Sequence, residues 1–301
     1  MTSPSDEEYG DPVVPAMRWL LGLAAVLVFL AGVQLFLFPL DTDTRFAWTI
    51  GSPMTAVFLG ASYWSAMGLE LSGARARRWT VARVSVPAVF VFTALTFVVT
   101  MVHLDLFHLA PELTAVTRAV TWGWIAVYAV VPVLMALAWW LQSRAGTAVP
   151  PPRGLPTWVR ATLAVLAVGL VALGIALLVA PGWADAAWPW PLTPLTARAV
   201  GAWNVGLGVA AGHAWLVDDA RSLTPVGVTG VLFGGLQTVA LVRHGDELDW
   251  SSVPGVGYLV GLAAITVVGA ALLLEARRAP MGRDPGLSRP PSDGGRRSEH
   301  A

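Results

Sequence analysis

His103-Leu104-Asp105 and His244-Gly245-Asp246 are the residues whose types and spacing come nearest to a reactive set. An imidazole beside a carboxylate suits Zn²⁺ or Mn²⁺, and two histidines at equal height could ligate a haem. The spacing matches no metal signature such as HExxH. Its first reading is therefore polar helix ends that meet water, with a metal or haem site as the alternative.

A second set consists of polar side chains inside apolar runs: Gln34, Tyr63, Thr96, Asn204 and Gln237. Counted along a helix at 1.5 Å per residue, they fall at a common depth of about 10 Å below the outer helix ends. Amides and hydroxyls at such depth either bond helix to helix or line an outward-facing pocket between the two halves of the chain. Arg198 is a candidate for an anionic substrate or headgroup, against the plainer expectation that it snorkels or pairs with a carboxylate such as Asp185. Glu70, His213 and Arg198 lie about a turn from helix ends and are expected to reach water. That leaves no titratable group securely at mid-membrane, which argues against a proton pump.

Absences narrow the field further. The chain has no cysteine, which excludes disulfides, cysteine-ligated clusters and thiol catalysis. It also has no lysine, and therefore no phosphate-binding GxxxxGK[ST] loop. No GxSxG precedes a triad, and the arginine patches are explained by topology without nucleic acid. No cofactor is expected beyond the metal or haem alternative.

These residues must be positioned by apolar helices. Of 301 residues, 55% are hydrophobic and 13% charged. Runs of about 20 apolar residues, each enough for a roughly 30 Å hydrocarbon layer, recur near 17 to 39, 53 to 71, 83 to 103, 119 to 141, 158 to 180, 197 to 217, 225 to 243 and 254 to 275. The expected fold is an all-α integral membrane protein with eight transmembrane helices.

The runs also repeat. At a spacing of 142, Arg18/Arg160, Gly32/Gly174, Pro39/Pro181 and Trp48/Trp190 match; at 141, Pro53/Pro194, Gly60/Gly201, Phe92/Phe233, His103/His244 and Asp105/Asp246 do. Tyr128 aligns with Tyr258 after a deletion. This predicts two parallel-oriented four-helix repeats (4+4), related by a pseudo-two-fold axis along the membrane normal. Residues 1–16 read as a disordered tail, 17–141 as the first repeat, 142–157 as a Pro-rich linker, 158–278 as the second repeat and 279–301 as a disordered Arg/Pro/Gly-rich tail.

Small residues at Ala56, Gly60, Ala197, Gly201 and Gly208 nominate the second and sixth helices as a close pair at the axis. Arg75, Arg77, Arg78, Arg83, Arg144, Arg153, Arg160 and the tail arginines cluster on one side, placing both termini in the cytoplasm. Trp48, Trp122, Trp124, Trp183, Trp188, Trp190 and Trp250 read as an outer interfacial belt, and Trp19, Trp79, Trp139, Trp140, Trp158 and Trp215 as an inner one. The Ala, Val, Gly, Pro and Arg bias resembles a GC-rich bacterial genome, hence a bacterial cytoplasmic (inner) membrane.

The functional expectation is non-enzymatic: a structural or partner-binding membrane protein. Its partners would be the lipid bilayer and other membrane proteins or a second copy. The alternatives are a facilitator or small transporter, and a metal- or haem-binding protein.

Overall fold

The computed structural model describes residues 10–278. Among them the chain is helical, with two isolated β-bridges and no strand. The long helices are α1 (Pro15–Gly32), extended by a π-turn over Val33–Leu37, α2 (Pro53–Arg75), α3 (Val86–Val102), α4 (Ala115–Ala145), α5 (Thr157–Val179), α6 (Pro194–Val217), α7 (Thr224–His244) and α8 (Val253–Arg278). Proline occupies the first turn of α1, α2, α3, α6 and α7, where its missing N–H would have no partner anyway. Ser52, Thr114 and Thr193 supply the cap, each accepting from the backbone N–H three residues on.

Five segments are long and apolar enough to cross a membrane: Pro15–Leu37, Ala115–Ala145, Thr157–Val179, Thr224–Glu247 and Val253–Arg278. Val86–Val102 is apolar but shorter. The helices α2 and α6 are long but less apolar, carrying Ser62, Tyr63, Ser65 and Glu70 on one and Asn204 on the other. Most of their residues are buried by other helices, so they need not present a lipid-compatible surface.

Helix contacts close a circuit. It runs α1–α2–α7–α8–α5–α6–α3–α4 and returns to α1. The expected axial pairing of α2 with α6 is corrected here, since these helices barely touch. Their small residues serve other neighbours. A Cβ on Gly60 would lie 2.5 Å from the Phe36 nitrogen at the end of α1, and one on Gly201 would lie 2.8 Å from the Gly174 carbonyl on α5. Close backbone approach thus joins α1 to α2 and α5 to α6.

Two further expectations change. Residues 10–14 of the supposedly disordered tail are held in place. Asp11 N–H donates to Ala148 O, its carboxylate accepts from Ala148 N–H, and Trp79 N–H donates to Asp11 O. Residues 1–9 and 279–301 lie outside the described residues. The helix α4 runs on to Ala145, and its buried Gln142 donates to Pro12 O and accepts from Val14 N–H, stitching the linker to the start of α1.

The tryptophan belt is also only partial. Trp19, Trp122, Trp139, Trp140, Trp158, Trp183, Trp215 and Trp250 are exposed, whereas Trp48, Trp79, Trp124, Trp188 and Trp190 are buried. Trp48 packs on Phe46, Phe107 and Trp124, and Trp190 on Phe58, Trp188 and Tyr258. Loops pin both clusters: His108 N–H donates to Ala47 O, and Asp249 N–H to Pro189 O. A large ring gains more from burial against other rings than from an interfacial position when the loop carrying it folds inward.

Candidate functional site

Two cavities of ligand size lie among the helices. The first, about 230 Å³, is bounded by α1, α2, α3 and α4, with Gln34, Tyr63, Glu70, Phe92, Trp124 and Tyr128 in its wall. The second, about 260 Å³, is bounded mainly by α5, α6, α8 and the Trp188 loop, with Asn204, Phe233 and Tyr258 in its wall. An engineered apolar cavity of about 150 Å³ admits benzene, so either has room for a small organic molecule.

Helical spacing explains the first wall. Tyr63 and Glu70 are seven residues apart on α2, two turns along one face, roughly 10 Å between Cα atoms. Gln34 enters from the π-turn, an irregularity that shifts the facing of residues beyond it. Tyr128 reaches across from α4 so that its hydroxyl lies 2.8 Å from that of Tyr63. Two hydroxyls bring two protons and use one between them, which leaves an O–H free to donate.

Glu70 stands apart. It is 3% exposed and makes no hydrogen bond or ion pair among the described residues; its Oε2 is fully enclosed without a partner. The expectation that Glu70 reaches water is therefore corrected. It lies five residues from the end of α2, but it faces inward, onto a cavity that α1, α3 and α4 also line. Besides the main cavity it borders a void of about 30 Å³ between α2, α3, α6 and α7, with Ser65 and Thr229.

The second wall is made differently. Gly257 and Gly261 face open space where a side chain would otherwise project. Asn204 donates to Val200 O of its own helix, and its amide oxygen accepts no hydrogen bond among the described residues.

The sequence-predicted residues thus divide. Gln34 and Tyr63 share the first cavity, and Asn204 lines the second. Gln237 lines neither. Its amide donates to Phe58 O at 3.0 Å and its oxygen accepts from Tyr258 at 3.2 Å, tying α7 to α2 and α8. Thr96 is buried beside a much smaller void, its hydroxyl without a partner. The expected single pocket between the halves is replaced by two separate cavities.

At the C-terminal end of α3, Arg198 donates through Nε to Leu178 O and through Nη1 to His103 Nε2 at 2.8 Å. Accepting from arginine fixes the neutral His103 ring with its proton on Nδ1. Burial, and then the Arg198 charge, hold the His103 pKa below its ordinary value, with Asp105 opposing. Asp105 and Asp246 are exposed, and the His244 Nε2 is enclosed without a partner. Among the described residues no three His, Asp or Glu gather as metal ligands, so the alternative reading of a His-x-Asp metal centre finds no cluster to rest on. A guanidinium against His103 opposes a second cation there.

Glu70 is the residue that sequence reasoning missed. Its signal was present: a lone carboxylate among Leu69, Leu71 and a small-residue stripe. Family models, curated proteins and solved structures yield no match to the chain, so function rests on the site itself.

Proposed function

We propose that the chain is a non-enzymatic, eight-span bacterial inner-membrane protein whose two four-helix repeats each bind a small amphiphilic solute, in the manner of a facilitator. Both termini are cytoplasmic in this reading. The observation that carries it is the correspondence of the two cavity walls. At the repeat spacing, Val28, Ala31, Tyr63, Phe92, Trp124, Val127, Tyr128 and Val131 correspond to Leu170, Leu173, Asn204, Phe233, Pro254, Gly257, Tyr258 and Gly261, and every one of these lines its cavity.

Other features support the repeat. The helix circuit is unchanged when α1–α4 are exchanged with α5–α8. The bonds His108 N–H to Ala47 O and Asp249 N–H to Pro189 O correspond, as do Trp79 N–H to Asp11 O and Ala220 N–H to Arg153 O. A protein with only a structural role needs no cavity of this size. The fully engaged Gln237 favours such a role only for its own position.

The test is ligand binding to the full chain in lipid nanodiscs, with the cavities closed separately. Ala31→Phe fills the first and Gly261→Leu the second. A panel of small amphiphiles should raise the thermal midpoint of the wild type, each single variant should lose part of that effect, and the double variant should lose it all. Shifts that persist in the double variant would overturn the reading.

A further inference from the structure

We propose that the first cavity is a site for a small organic ammonium ion, whose charge pairs with the Glu70 carboxylate while its hydrocarbon part lies against Phe92 and Trp124. This rests on the reading that the cavities admit solutes, and adds the chemical class that one of them prefers.

Among the described residues Glu70 is the only acidic side chain in the wall, and no arginine or histidine lines the cavity to pair with it. A buried carboxylate without a partner is costly, and a counter-ion in the adjoining space recovers part of that cost. An organic cation suits the rest of the wall better than a metal ion does. Besides Glu70 the wall offers only the Gln34 amide, the Thr93 hydroxyl and the tyrosine hydroxyl pair as oxygen donors, and Thr93 already donates to Val89 O. The remainder is aliphatic and aromatic. Such surfaces accept the hydrocarbon part of an organic ion while its charge faces Glu70. Phe92 and Trp124 are both buried and both line the same space as the carboxylate.

Access is from the side. Leu30 on α1 and Gly123 on α4 are exposed and lie on the cavity rim. An amphiphilic ammonium dissolved at the lipid boundary would enter there, headgroup first, without crossing the packed outer loops. The second cavity lacks the decisive group. At the position corresponding to Glu70 stands Ala211, and no charged residue lines that wall.

The experiment uses an isosteric pair of probes, benzyltrimethylammonium and neopentylbenzene, which differ in a quaternary nitrogen replacing a carbon. Their affinities for the full chain in nanodiscs are measured by calorimetry. The cation is expected to bind the wild type more tightly. Glu70→Gln should weaken cation binding roughly tenfold or more and leave neopentylbenzene unchanged, while Glu70→Asp should retain an intermediate preference for the cation. Because Glu70→Gln removes a buried carboxylate that has no partner, its thermal midpoint should equal or exceed that of the wild type, which separates lost binding from lost folding.

Equal affinities for the two probes, with neopentylbenzene still displaced by Ala31→Phe, would overturn the ammonium assignment alone. Cation binding abolished by Gly261→Leu and untouched by Glu70→Gln would overturn it too. No binding of either probe to any form would overturn both this inference and the cavity reading.

Discussion

The two cavities share a frame and differ in what faces inward. Tyr128 and Tyr258 occupy corresponding places, as do Phe92 and Phe233, yet Tyr63 is answered by Asn204, Trp124 by Pro254, and Val127 and Val131 by Gly257 and Gly261. Both walls hold an aromatic cluster; the first adds an unpaired carboxyl group, and the second carries no charged residue. What stays the same lies at the seams. Gly32 and Gly174 both sit where a Cβ would strike the neighbouring helix, against the Trp64 ring in one half and the Gly201 carbonyl in the other. Helix-to-helix packing tolerates little change because displacing one backbone moves its neighbours. A cavity wall tolerates much more, since a side chain altered there meets space.

The sharpest way to break this contrast is to place the same substitution at a seam and at a wall. Gly201→Leu drives a side chain into the Gly174 carbonyl and Leu177, with backbone on one side, and should cost about 3 kcal/mol or more. Gly257→Leu projects into open space and should change stability by about 1 kcal/mol or less, because it displaces nothing and leucine is the better helix former. Thermal unfolding of both variants in the same detergent checks the difference. If both unfold together, the wall and seam positions do not differ as argued.

The next contrast is between two amides that looked equivalent in the sequence. Gln237 and Asn204 both fall inside apolar helices at a similar depth. Gln237 bonds across to α2 and receives Tyr258 from α8, so Gln237→Leu strands the Tyr258 hydroxyl and should cost about 2 kcal/mol. Asn204 spends its donors on its own helix, so Asn204→Leu should cost under about 1 kcal/mol and act instead on solute binding in the second cavity. A larger loss of stability for Asn204→Leu than for Gln237→Leu would reverse their assignment as wall and glue.

Those two amides mark how far the sequence could be read. Periodicity places all eight long helices, because runs such as 158 to 180 and 254 to 275 have no other way to satisfy their backbone in lipid or protein. Prolines and hydroxyl caps fix most helix starts. Depth along a helix is legible too, but the direction a side chain takes around it is not, and that direction separates Gln237 from Asn204. Glu70 was misread for the same reason. Its distance from the helix end suggests water, whereas it faces inner spaces lined by α3, α4, α6 and α7, remote in sequence. Trp188 and Trp190 likewise read as interfacial until the loop carrying them folds inward over Phe58. Arg198 shows the converse. Its repeat counterpart at a spacing of 141 is the apolar Val57, and its use is to cap the end of α5 through Leu178 O, where a cation meets the carbonyl end of the helix dipole.

The smallest predicted effect concerns the C-terminal end of α3, where the halves differ again: His103 faces Arg198, while His244 has no bonded partner for its Nε2. Burial and the Arg198 charge lower the His103 pKa, so the folded site resists a proton that the unfolded chain accepts. Above the ordinary histidine value near 6.5 both states are neutral there and the contact contributes in full. As pH falls below that value the unfolded chain binds protons first, and stability declines until pH passes the lower folded value and His103 is protonated in both states. Protonation also removes the lone pair that Arg198 donates to, which releases α3 from α6 at this end. Thermal midpoints measured between about pH 7 and pH 5 should therefore fall slightly more for the wild type than for His103→Gln, whose amide oxygen can accept from Arg198 without titrating. Because the ring is partly exposed, solvent screens the effect and the difference should be small. Identical pH profiles for the two proteins would show that the Arg198 contact contributes nothing to the acid sensitivity of the fold.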